Sequence, residues 1–91
     1  MDISIGKQIV KFEMDNCGPC KAIKPLWNKI KEENPNVQFQ EIHVEEDNDL
    51  AEKYAIIAVP TFMALSEGNE IERIVGLTNK NGLQNLINLL V

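Results

Sequence analysis

Two cysteines are present, Cys17 and Cys20, separated only by Gly18-Pro19. A thiol pair at that spacing can close a small disulfide ring or share a soft metal ion. The spacing argues against the usual task of structural disulfides in small secreted domains, which is to join distant segments. Structural zinc takes about four ligands, and the only other soft donor here is the lone His43, so no metal is expected. Reversible thiol–disulfide exchange fits best, and it asks for one reachable, acidified thiol and one shielded partner.

A strand followed at once by a helix would supply both. Gln8 to Met14 carries apolar Ile9, Val10, Phe12 and Met14 between Gly6 and Asp15-Asn16, and reads as a buried strand. From Gly18 to about Glu33, Ala22, Ile23, Leu26, Trp27 and Ile30 recur at helical spacing, which predicts one amphipathic helix, kinked or stressed at Pro25. Cys17 then sits at the helix N-terminus, where unpaired N–H groups and the positive dipole end favour a thiolate. Cys20, one turn in, is expected to be shielded. Pro19 fixes the backbone and Gly18 leaves the approach open.

Beyond Asn34-Pro35-Asn36, which ends the helix, Val37 to Val44 reads as a strand and Asp47 to Tyr54 as a short helix. Thr61 to Leu65 and Glu70 to Val75 read as strands joined by the turn Ser66-Glu67-Gly68-Asn69. Asn79 is a candidate cap for a last helix from about Lys80, whose face is Leu83, Leu86, Ile87 and Leu90. The predicted order is βαβαββα, an α/β chain without repeat or linker.

Ninety-one residues suffice for one domain, taken as 1–91, and the 44% hydrophobic and 25% charged content is that of a globular chain able to fold alone. Nine Lys and Arg against 14 Asp and Glu leave a net charge of −5, which repels phosphate backbones and anionic lipid. Nucleic acid and membrane partners are not expected. The opening Met1-Asp2-Ile3-Ser4-Ile5-Gly6-Lys7 lacks the pattern of a signal peptide, so a cytoplasmic location is expected.

Val10-Lys11-Phe12, then Cys17-Gly18-Pro19-Cys20-Lys21, Pro25, Tyr54-Ala55-Ile56 leading to Val59-Pro60-Thr61, and Val75-Gly76 together resemble the thioredoxin family from about residue 7 onward. The resemblance implies a thioredoxin-like fold, N-terminally trimmed, with a central mixed sheet of about four strands. It also implies that Cys17 is the nucleophile, Cys20 the resolving thiol and Pro60 a cis proline, with Val59 and Gly76 offering backbone groups to a client segment. No cofactor would be bound. The redox group would be the Cys17–Cys20 disulfide itself, recharged with electrons from NADPH by a thioredoxin reductase, and the protein would act as a monomer on disulfide-containing clients. Two other readings are a glutaredoxin-like, glutathione-linked oxidoreductase, opposed by Gly18-Pro19, and a binding module of the same fold.

Three positions depart from the family pattern. Asn16 stands where the family has a tryptophan, Glu13 at a second aromatic position, and Lys11 in place of a buried acid. By the same alignment Glu41 stands where the family commonly has a lysine. Lys11 and Glu41 are therefore expected to pair beneath the cysteines, with Glu41 either a structural partner or a proton acceptor for Cys20. Trp27 reads as core, His43 as a strand-face or solvated histidine, and Glu45-Glu46-Asp47 as a solvated face. Lys21 either adds positive charge near the thiols or is simply exposed.

Overall fold

The computed structural model of the chain describes residues 2–91. Its elements run β1 (Lys7–Glu13), α1 (Gly18–Ala22), α2 (Lys24–Glu33), β2 (Gln38–His43), α3 (Asn48–Lys53), β3 (Thr61–Ser66), β4 (Asn69–Val75) and α4 (Lys80–Asn88). The single predicted helix after the cysteines is two. Pro25 has no N–H to donate to the Lys21 carbonyl four residues back, so α1 closes at Ile23, whose N–H turns to the Lys21 and Pro19 carbonyls. The order is otherwise as expected, and no strand or helix precedes β1 among the described residues.

The sheet is mixed, in the order β2-β1-β3-β4. β1 pairs parallel with β2 and antiparallel with β3, and β3 pairs antiparallel with β4. The β3–β4 hairpin turns on Glu67 and Gly68, both at positive φ (52° and 80°). That is the primed turn whose twist suits a two-residue hairpin loop, and glycine adopts such a φ without strain.

Strand parity divides the core into two. Ile9, Phe39, Phe62 and Ala64 face α2 and α4, packing Trp27 and Ile30 on one side and Leu83, Leu86, Ile87 and Leu90 on the other. Val10, Phe12, Ile42, Met63 and Leu65 form the opposite core with Tyr54 and Ile3. Burying each such large apolar side chain contributes about 1.5–3 kcal/mol before entropy is counted. Gln8, fully buried, donates from Nε2 to the Asp2 and Ile5 carbonyls, both at 2.8 Å, and so pins the N-terminal turn over the sheet. β1 is thereby held on both faces and both edges, and its C-terminal end delivers the cysteines.

Candidate functional site

Cys17 is the N-cap of α1. Its extended backbone (φ −113°, ψ 107°) leaves the side chain free to accept from the first turn, and the Cys20 N–H donates to Cys17 Sγ at 3.1 Å. Cys17 and Cys20 are joined by a disulfide across a Cα–Cα distance of 5.2 Å. Cys20 is 3% exposed and Cys17 8%, while Gly18 and Pro19 between them lie in solvent. Both sulfurs are therefore buried in the disulfide form, Cys20 slightly more than Cys17.

The loop before β3 supplies the opposite wall. The Val59–Pro60 peptide bond is cis, and the Val59 carbonyl lies 4.0 Å from Cys17 Sγ. Gly76, at φ 90°, donates its N–H to the Pro60 carbonyl at 2.8 Å, which ties the end of β4 to this loop. Cys17, Val59, Pro60 and Gly76 are thus one continuous feature. Ile57, Val75 and Leu77 flank these residues along the chain and are 91%, 50% and 60% exposed. Asn16 is exposed next to Cys17.

Lys11 and Glu41 do not form the expected pair. They are opposite one another in the β1–β2 register, yet Lys11 Nζ lies 3.2 Å from Glu13 Oε1 and 5.0 Å above the Trp27 ring. Glu41 instead faces Lys31 of α2 at 3.9 Å, with 36% of its side chain exposed. The reason is position in the sheet. β2 is an edge strand, so Glu41 leans outward, whereas Glu13 follows Lys11 by two residues on the same face and is only 15% exposed. A buried ammonium needs a partner screened from water to a similar degree.

Glu13 also reaches His43, its register partner on β2, with Oε2 3.2 Å from Nε2. Asp15 Oδ1 is 2.9 Å from the His43 Nδ1, a contact without hydrogen-bond geometry. The Asp15 N–H donates to Glu45 Oε1 at 3.0 Å. A cavity of about 200 Å³ beside this cluster is lined by Cys20, Glu13, Asp15, His43, Lys21 and Lys24. Sequence reasoning left His43 outside the site. The available signal was parity, since Glu13 shares a strand face with Lys11, and His43 with Phe39 and Glu41.

The thioredoxin family model matches residues 2–89. Thioredoxin of Chlamydia pneumoniae is 37% identical over 86 residues, 94% of this chain and 84% of that one. Thioredoxin H-type of Fagopyrum esculentum is 40% identical over 68 residues, 75% of this chain and 59% of that one. Among solved structures, a thioredoxin from Nicotiana alata superposes with a TM-score of 0.86 at 35% identity, covering 93% of this chain and 73% of that one. That of Fasciola hepatica gives 0.86 at 31%, covering 97% and 85%. A bonded cysteine pair capping a helix beside a cis proline, on a sheet that superposes on these proteins, places the chain in the thioredoxin family of dithiol–disulfide oxidoreductases.

Proposed function

We propose that the chain reduces protein disulfides as a single-domain monomer in the cytoplasm, where thiols are kept reduced, and that a thioredoxin reductase recharges it with electrons from NADPH. The Cys17 thiolate attacks a client sulfur and forms a mixed disulfide, releasing the client's other sulfur as a thiolate. Cys20 then attacks Cys17 Sγ, the Cys17–client bond breaks, and the client leaves reduced. The observation that carries this reading is the Cys20 N–H held 3.1 Å from Cys17 Sγ in the disulfide, a donor in place to stabilise a thiolate at Cys17 once that bond opens. Gly18, Pro19, Val59, Pro60 and Gly76 frame the approach to Cys17, and exposed Ile57, Val75 and Leu77 give an extended client segment an apolar bed.

Insulin reduction driven by NADPH and thioredoxin reductase tests the proposal. Turnover that disappears in Cys17→Ser is the expected result. Turnover with glutathione and glutathione reductase alone would favour the glutathione-linked reading, and no turnover with either would favour a binding module.

A further inference from the structure

Residues 56–60 bring the Val59 carbonyl to 4.0 Å from Cys17 Sγ, yet they belong to no strand or helix. Ile57 and Ala58 are exposed, so burial does not hold this part of the segment. Its two ends do, and both are tied to β4. At the Pro60 end, the Gly76 N–H donates to the Pro60 carbonyl at 2.8 Å. At the other end, Arg73 donates to the Tyr54 carbonyl at 2.6 Å and to the Ala55 carbonyl at 3.3 Å.

Local chemistry explains why a clamp is needed at Ala55. Helix α3 closes with the Ala55 N–H donating to the Glu52 carbonyl at 3.1 Å and the Ile56 N–H to the Ala51 carbonyl at 2.9 Å. That pair of bonds marks a helix end that turns through a left-handed residue, a position glycine usually fills. Here it is alanine, at φ 52°. A side chain is strained in that region and stays there only where the surroundings enforce it.

Arg73 supplies the enforcement. Its guanidinium meets the negative end of the α3 dipole. Glu70 grips it from β4 through two charge-assisted bonds, Nε to Oε2 at 2.6 Å and Nη2 to Oε1 at 2.7 Å. We propose that Arg73 is a positioning residue for disulfide exchange, fixing the Ala55 end of the segment so that Val59 and Pro60 stand against Cys17, with Glu70 fixing Arg73. The inference rests on the attack of Cys17 on client disulfides given above. A client segment has to fit between Cys17 and this loop, so displacing the loop weakens client docking. The thiolate itself is untouched, because the donor at Cys17 comes from α1.

A protein client and a small disulfide separate these effects. In Arg73→Met the KM for insulin should rise about fivefold. The first release of thionitrobenzoate from 5,5′-dithiobis(2-nitrobenzoate), which needs only Cys17, should keep the wild-type rate. Amide hydrogen exchange at Ile57, Ala58 and Val59 should quicken while that of β3 does not. Adding Ala55→Gly to Arg73→Met relieves the left-handed strain, so this double variant should regain stability in urea and keep the raised KM. An unchanged KM in Arg73→Met would overturn the proposal, as would a KM that returns to the wild-type value along with stability in the double variant. Absence of insulin turnover in the wild type would instead sink the reading of Cys17. Hydrogen exchange would then decide the clamp by itself, and unchanged exchange at Ile57, Ala58 and Val59 in Arg73→Met would overturn it.

Discussion

Lys11 is 1% exposed, in the middle of the central strand. A lysine there is tolerated because its ammonium has two partners, the Glu13 carboxylate and the Trp27 ring face. Removing one partner of a buried pair costs more than removing both, because it leaves an uncompensated charge in a dry site. Glu13→Gln should accordingly lose about 3–5 kcal/mol in urea unfolding. Glu13→Gln combined with Lys11→Met should recover most of that loss. Glu41→Gln, by contrast, removes only a half-exposed contact with Lys31, and should change stability by less than about 1 kcal/mol. A large loss in Glu41→Gln would mean that Lys11 reaches across the register after all.

Between elements, one side chain ties β4 to the end of α3. Arg73 of β4 donates to the Tyr54 and Ala55 carbonyls, at 2.6 and 3.3 Å, and to both Glu70 oxygens. It therefore fixes the end of α3, just ahead of the loop that carries Val59 and Pro60. The hydrogen bond from Arg73 holds the Glu70 carboxyl below its ordinary value of 4.5. A depressed folded value means that this contribution is fully present above the unfolded value and is lost as pH falls through the folded one. The stability gap between wild type and Glu70→Gln should therefore close as pH drops below about 4.5, which thermal melts across pH 3 to 7 would show. Much of this layer is legible in the sequence, since Cys17 and Asn79 announce their helices and Glu67-Gly68 their turn by local chemistry alone. Pairing choices are not. The preference of Lys11 for Glu13 depends on β2 being an edge strand, and the approach of His43 to Glu13 depends on register, both fixed by contacts distant in sequence.

At the scale of the whole molecule, the chain carries a net charge of −5 and leaves Ile57, Val75 and Leu77 exposed in the segments that bear Val59, Pro60 and Gly76. Ile57, 91% exposed, contributes nothing to the core, so Ile57→Asp should unfold as the wild type does. Its KM for insulin should rise about tenfold, equivalent to about 1.4 kcal/mol of lost contact, and an unchanged KM would remove this residue from the client surface. The assignment on which everything else depends is the division of labour between the two cysteines. Cys20→Ser leaves the first attack intact and removes the second, so incubation with a disulfide client should trap a mixed disulfide, and peptide mapping of the adduct reads the attacking residue directly. The account predicts an adduct in high yield at Cys17 in Cys20→Ser and none in Cys17→Ser; an adduct formed at Cys20 by the Cys17→Ser protein, with none at Cys17, would contradict it.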